Sequence, residues 1–127
     1  MMIEQNLNKI EKLINAELSS KISGSEINFN ELLFKTSSNE IIEVIKFLKL
    51  DKRCKFKQLI DIAAIDYPNE EKRFELVYLL LSIENNFRIK ISIKFEINEK
   101  IPSIVKIFPS ANWMEREIFD MYGIKFV

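Results

Sequence analysis

Residues 73–97 have the sequence "RFELVYLLLSIENNFRIKISIKFEI", and this segment determines much of the architecture. Its first half is almost continuously apolar, which is typical of a strand covered on both faces. Its second half alternates apolar and polar residues, the pattern of a strand with one buried face. Residues 84–86 between them predict a hairpin, because Asn tolerates the left-handed turn conformation. The side chains expected on the buried face of the second strand are Phe87, Ile89, Ile91, Ile93 and Phe95.

The N-terminal part of the chain predicts a helix followed by a strand. Residues 2–18 carry apolar side chains at three- and four-residue spacing, which indicates an amphipathic helix. Gly24 is expected to break the chain after this helix. Residues 26–34 then indicate one strand, with apolar residues alternating at Ile27 and Phe29.

A second helix and a further strand are expected before the hairpin. Ser37 stands three residues before Glu40, a capping-box arrangement that opens a helix running to about Leu50. Residues 58–66, "QLIDIAAID", indicate a strand. The residues expected on the buried side of the helix are Ile41, Val44, Ile45 and Leu48, and the apolar residues of the strand are Leu59, Ile60, Ile62 and Ile65.

A connector and a short helix follow the hairpin. Two prolines within residues 98–112 prevent a long regular element there. The chain then closes with a short helix over residues 113–122. Asn112 is a suitable N-cap, Glu115 completes a capping box, and Gly123 is expected to end the helix.

The predicted order of elements is helix, strand, helix, three strands and a short helix. Because the strands cluster after the helices, the expected fold class is α+β. It consists of a mainly antiparallel sheet with helices packed on one side and a short C-terminal helix. No repeat, low-complexity tract or linker divides the chain, so residues 1–127 are expected to form a single domain.

The residue composition argues against several kinds of chemistry. The chain has 19 basic and 19 acidic residues, no His and one Cys. Without net positive charge, a nucleic-acid partner is not expected. One thiol and no imidazole cannot build the usual zinc site, an iron–sulfur cluster or a Ser-His-Asp triad. No apolar stretch approaches the ~20 residues that span a bilayer, so no direct membrane insertion is expected.

The densest basic run is "DKRCKFK", residues 51–57. Short charged runs are typical of solvated loops, and this one is expected to connect a helix to a strand. Cys54 is interpreted as an apolar filler or a loop thiol. The neighbouring Lys52, Arg53 and Lys55 are expected to lower its pKa somewhat.

The last helix combines charged and aromatic residues. On a helical wheel at ~100° per residue, Arg116, Glu117 and Asp120 gather around Trp113, and Arg116 can pair with Asp120. Glu115 falls inside an apolar arc instead. Its carboxylate either completes the helix cap or meets cations of another protein, since a carboxylate at an apolar surface needs a partner. The arc contains Met114, Ile118, Phe119, Met121 and Tyr122, residue types that pack on the domain's own sheet or form an interface core.

The sequence "ANWMEREIFDMYGIKF", residues 111–126, resembles the signature of the small hydrophilic 30-kilodalton-type subunit of proton-pumping NADH:quinone oxidoreductase, respiratory complex I. The family pattern is Glu-Arg-Glu, two residues, an acid, two apolar residues and Gly-Ile-x-Phe. The resemblance is strong over about residues 55–127 and looser before them. The matching positions are Glu115, Arg116, Glu117, Asp120, Met121, Tyr122, Gly123, Ile124 and Phe126.

This resemblance implies a non-catalytic role in the peripheral arm of the complex. The chain is expected to hold no cofactor, while NADH, flavin, iron–sulfur clusters and quinone belong to the assembled complex. Its expected partners are the large hydrogenase-related subunit, near the quinone site, and other complex I subunits. The expected location is peripheral, on the cytoplasmic face of the bacterial inner membrane or the matrix face of the mitochondrial one. The residues expected to contact the partner are Trp113, Glu115, Arg116, Glu117, Asp120 and Tyr122.

Other interpretations compete with this one. The same family serves membrane-bound hydrogenases and related complexes. A nucleic-acid module would need a basic and aromatic surface that is not evident. Family members usually continue past Gly-Ile-x-Phe with a C-terminal extension, which is expected to be missing from a chain ending at Val127. A free-standing enzyme would use Asp61, Asp66, Glu115, Glu117 and Asp120, although Asp61 and Asp66 are expected to cap or terminate a strand.

Overall fold

The computed structural model describes residues 2–28 and 31–127, with side chains for residues 7–27 and 31–127. These two stretches form three helices and five strands. In chain order they are α1 (Met2–Glu17), β1 (Ile22–Asn28), β2 (Glu31–Thr36), α2 (Ile41–Leu50), β3 (Gln58–Asp66), β4 (Phe74–Ser82), β5 (Phe87–Phe95) and α3 (Ala111–Tyr122).

The strands form one sheet in the order β1-β2-β5-β4-β3. Neighbouring strands are antiparallel except β2 and β5, which run parallel. The predicted hairpin joins β4 to β5 and pairs Ser82 with Phe87. Asn86 in its turn has a φ of 57°, the left-handed conformation expected there. The α+β fold with a mainly antiparallel sheet is therefore confirmed.

The single strand predicted over residues 26–34 is wrong, because this region contributes to two strands. β1 ends at Asn28, β2 begins at Glu31, and the two pair as antiparallel neighbours. Gly24 does not break the chain but lies inside β1, where the pairing register shifts. A residue without a side chain suits such an irregularity. Phe29, on which the predicted alternation partly rested, lies outside the described residues.

The helices pack on one face of the sheet, as expected. The predicted burial of both faces of β4 is wrong, because Val77, Leu79 and Leu81 on the opposite face are only half-buried. The predicted buried stripe of α2 is confirmed. The buried core includes Leu7, Ile14 and Leu18 of α1, Ile41, Val44, Ile45 and Leu48 of α2, and Leu32, Phe34, Leu76, Tyr78, Leu80, Ile89, Ile91 and Ile93 of the sheet.

The capping box predicted for α2 is wrong. Glu40 occupies the N-cap, and its side chain makes no capping hydrogen bond. Its backbone N–H donates to the carbonyl of Ser37. The hydroxyl of the adjacent Ser38 donates to the carboxylate of Glu99 in the connector. A contact with a distant part of the chain therefore replaces the local cap.

The basic run 51–57 connects α2 to β3, as expected. Lys55 and Lys57 both form ion pairs with Glu84. Cys54 is fully buried, and this burial raises the pKa of its thiol to about 12. The expectation that neighbouring cations lower this pKa is wrong, because desolvation of the thiolate outweighs their attraction.

Gly123 ends α3 in the left-handed conformation, with a φ of 72°, as predicted. Its N–H donates to the carbonyl of Phe119 at 2.8 Å. We expect Gly123→Ala to lower the free energy of unfolding by about 1 kcal/mol, measured by denaturant titration. A Cβ at Gly123 or at Gly24 would meet nothing within 4 Å, so only the backbone differs. Gly24→Ala, without a positive φ, is the control, and an equal loss there would contradict this account.

Tyr78 lies in the core, and its hydroxyl is buried without a hydrogen-bond partner among the described side chains and backbone. Burial, and secondly the Glu115 carboxylate, raise the pKa of this phenol above its ordinary value. Because burying an unpaired hydroxyl is unfavourable, we expect Tyr78→Phe to stabilise the protein by up to about 1 kcal/mol in denaturant unfolding. Tyr67→Phe should instead destabilise it, since the Tyr67 hydroxyl donates to Glu75 at 2.8 Å. The same sign at both positions would refute the explanation.

Candidate docking surface

α3 packs on β3, on the face of the sheet that carries the other helices. Ile118 is buried, and Met114 packs partly buried against the core, which confirms the packing predicted for both. Tyr122 meets Phe74 edge-on, with the ring centroids 6.2 Å apart. These contacts fix the inner side of the helix and leave its outer side to solvent.

The carboxylate of Glu115 anchors α3 to the preceding connector. This side chain is only 5% exposed. One oxygen accepts a hydrogen bond from the Ser103 hydroxyl at 2.6 Å, and the other accepts one from the Ile104 N–H at 2.9 Å. The predicted cap is wrong, because Ser110 occupies the N-cap and no side chain caps the helix. Donors within the chain satisfy this carboxylate, so it does not need the cations of another protein.

Most of the residues predicted to contact a partner lie on the outer side of α3. Tyr122 is half-buried and Glu115 is buried, whereas the other four are exposed. The ion pairs formed within residues 31–127 do not include one between Arg116 and Asp120. Partner contact by the six residues stays a prediction. The four exposed ones are Trp113, at 74% exposure, Arg116, Glu117 and Asp120.

Two further exposed residues belong to this surface, and the sequence placed them in the apolar arc. Phe119 is 47% exposed and Met121 is 67% exposed. On the wheel they lie at opposite edges of the arc, and the sheet covers only its centre. A narrower arc centred on Ile118 and Tyr122 would have separated them. We call the exposed set Trp113, Arg116, Glu117, Phe119, Asp120 and Met121 the docking face.

The two flanks of α3 differ in charge. On one flank lies an open cavity of about 560 Å³ with three cationic side chains. On the other flank is a hollow of about 200 Å³ with two carboxylates beside methionines. We call the first the basic pocket, lined by Lys100, Glu115, Arg116, Phe119, Lys125 and Phe126, and the second the acidic hollow, lined by Asp61, Met114, Glu117 and Met121.

The acids considered for an enzyme do not converge on one site. Asp66 ends β3, as expected, and accepts a hydrogen bond from Arg73 at 2.7 Å. This bond holds the pKa of the Asp66 carboxyl below its ordinary value. Asp61 accepts a hydrogen bond from the N–H of Ile62 at 2.9 Å. The described part of the chain places no three His, Cys, Asp or Glu side chains to hold a metal ion.

The helices were also considered as membrane spans. Within residues 2–28 and 31–127, none is both long enough and apolar enough to cross a bilayer. α1, the longest at 16 residues, carries charged side chains throughout its length. The expectations about cofactors and location stay predictions.

Comparison with known proteins identifies the family. Residues 34–127 match the family described as "Respiratory-chain NADH dehydrogenase, 30 Kd subunit". A subunit of NADH-quinone oxidoreductase from Xanthobacter autotrophicus is 40% identical over 98% of this chain and 59% of that protein. The subunit of the same name from Rhodospirillum rubrum is 41% identical over 96% of this chain and 57% of that protein. The chain belongs to the family of the respiratory-chain NADH dehydrogenase 30 kDa subunit, which confirms the resemblance carried by residues 111–126.

The fold also occurs in a solved structure of a different complex. A chain of the membrane-bound sulfane sulfur reductase, an archaeal respiratory membrane complex, superposes with a TM-score of 0.80. The two sequences are 24% identical, and the match covers 94% of this chain and 69% of that chain. This likeness establishes a shared fold. The chain spans roughly three fifths of the length of the curated relatives described above.

Proposed function

We propose that this chain is a non-catalytic structural subunit of the peripheral arm of an NADH:quinone oxidoreductase. It packs on the large hydrogenase-related subunit near the quinone site. In this role it supports electron transfer from NADH to quinone, coupled to proton translocation, by the assembled complex. Flavin, iron–sulfur clusters and quinone are held by other subunits, and the complex places the chain on the cytoplasmic or matrix face of the membrane.

The docking face is the observation that carries this proposal. Trp113 is 74% exposed and Met121 is 67% exposed on a helix whose inner side is fully packed. Exposed aromatic and methionine side chains among charged residues are typical of the central contacts of protein interfaces. Glu115 holds the helix on the connector through two hydrogen bonds. A surface held in advance loses less conformational freedom when a partner binds.

A second candidate is the equivalent subunit of a membrane-bound hydrogenase or related complex. The fold shared with a chain of the sulfane sulfur reductase favours keeping this candidate. The relatives at about 40% identity, which are named as subunits of NADH-quinone oxidoreductase, favour the first one. The two assemblies differ in their electron-input module, because an NADH-binding subunit is expected only in the first.

Purification from native membranes tests the proposal. An affinity-tagged chain, expressed in its own cells and extracted in mild detergent, should retain the large subunit and an NADH-binding subunit, identified by mass spectrometry. Glu117→Lys on the docking face should reduce this retention. Glu71→Lys, an equally exposed reversal in the β3–β4 loop, is the control. Recovery of hydrogenase subunits without an NADH-binding subunit would favour the second candidate, and recovery of neither set would refute both.

A further inference from the structure

The basic pocket brings together three cations from separate parts of the chain. Lys100 lies in the connector, Arg116 on α3 and Lys125 in the last residues of the chain. None of the three appears in an ion pair within residues 31–127, whereas Lys55 and Lys57 share Glu84. Like charges around one cavity repel each other unless an anion lies between them. The arrangement is therefore incomplete in electrostatic terms.

One carboxylate does line this cavity, but it is already bonded. The oxygens of Glu115 accept hydrogen bonds from Ser103 and Ile104. Its 5% exposure leaves little of the side chain to reach the cations. The exposed Lys100, Arg116 and Lys125 thus keep their capacity to bind anions.

The walls of the basic pocket are fixed by backbone hydrogen bonds. Ile101 and Phe126 form a parallel bridge. The N–H of Ile101 donates to the carbonyl of Lys125 at 2.9 Å, and the N–H of Ser103 donates to the carbonyl of Val127 at 2.7 Å. Two of the cations therefore stand on paired backbone, and the third stands on a helix that is packed against the core.

The shape and the lining of the cavity indicate what it receives. A small ligand is usually enclosed over most of its surface, and this cavity of about 560 Å³ is too open for that. Its lining combines the cations with the partly exposed rings of Phe119 and Phe126. Carboxylates beside an apolar side chain complement such a lining.

We propose that the basic pocket binds an acidic segment of the partner subunit, with carboxylates against Lys100, Arg116 and Lys125 and an apolar side chain on Phe119. This rests on the proposed function and adds the recognition chemistry to it. The docking face then holds the partner across α3, and the basic pocket sets the position of the partner along one flank.

Charge reversal with a matched control tests this. The triple variant Lys100→Glu, Arg116→Glu, Lys125→Glu should lower the amount of partner subunit retained from native membranes by about tenfold or more. The control triple variant, Lys46→Glu, Lys52→Glu, Lys106→Glu, changes exposed lysines outside the pocket and alters the net charge equally. Circular dichroism and thermal unfolding check that both triple variants fold.

The outcomes separate this proposal from the proposed function. Loss of the partner from the pocket variant, but not from the control, supports the pocket. If both variants retain the partner, or both lose it, the pocket proposal is overturned while the proposed function stands. If the unaltered chain retains no NADH-quinone oxidoreductase subunit, both proposals fail.

A photo-crosslinking variant gives an answer even if charge reversal prevents folding. Benzoylphenylalanine in place of Phe119 keeps an aromatic ring at a position that is 47% exposed. Irradiation of the complex should link it to a partner peptide rich in Asp or Glu. Linkage to a basic peptide, to this chain itself or to no peptide would overturn the proposal.

Discussion

Glu115→Ala should be among the most destabilising substitutions in this chain. It removes the acceptor of the Ser103 hydroxyl and of the buried Ile104 N–H. Hydrogen bonds to a charged group contribute more than neutral ones, and unpaired buried donors are unfavourable. We expect a loss of about 3 kcal/mol in the free energy of unfolding, and therefore a melting temperature lower by roughly 10 °C.

Two variants control this prediction. Glu115→Gln keeps the shape and one good acceptor, so it should lose about 1 kcal/mol, because the amide cannot accept at both oxygen positions. Glu117→Ala removes an exposed carboxylate from the same helix and should change stability by less than about 0.5 kcal/mol. Equal destabilisation by Glu115→Ala and Glu117→Ala would show that the buried contact is unimportant.

Trp113→Ala should have the largest effect on binding and little effect on folding. Its side chain is 74% exposed, so its removal leaves no cavity in the core. Exposed tryptophans at interfaces often contribute about 2 kcal/mol or more to binding, which corresponds to a roughly 30-fold weaker dissociation constant. A titration of the purified chain with the purified large subunit measures this change.

Ile83→Ala is a suitable control for the tryptophan. Ile83 is a similarly exposed apolar residue, but it lies in the turn between β4 and β5 rather than on α3. Its removal should leave the dissociation constant within about twofold of the unaltered value. If the unaltered chain binds the large subunit and Trp113→Ala binds equally well, the docking face is not the contact.

The elements with a clear periodicity could be predicted from the sequence, and those shaped by distant contacts could not. β4 and β5 are recognisable because apolar runs flank a turn that contains Asn. The β1–β2 hairpin was missed because Gly24 suggests a break, whereas it lies at an irregular position inside a strand. Local patterns do not show whether a glycine ends an element or accommodates a bulge.

The errors at the helix starts have one physical cause. Ser37 with Glu40, and Asn112 with Glu115, both have the spacing of a capping box, yet neither caps its helix. Glu115 instead accepts hydrogen bonds from residues 11 and 12 positions earlier in the chain. These donors lie in the irregular connector, where no periodicity indicates them. The sequence could show that Glu115 falls in an apolar arc, but not which group satisfies it.

The parallel pairing of β2 with β5 has a consequence for synthesis on the ribosome. Leu32 and Phe34 of β2 stand beside Ile89 and Ile91, which are translated much later. Until β5 has left the exit tunnel, the N-terminal helices and hairpin lack the central strand against which they close. Such long-range pairing slows folding and leaves apolar surface exposed in the meantime. A nascent chain that stalls before residue 87 should therefore remain a substrate for chaperones.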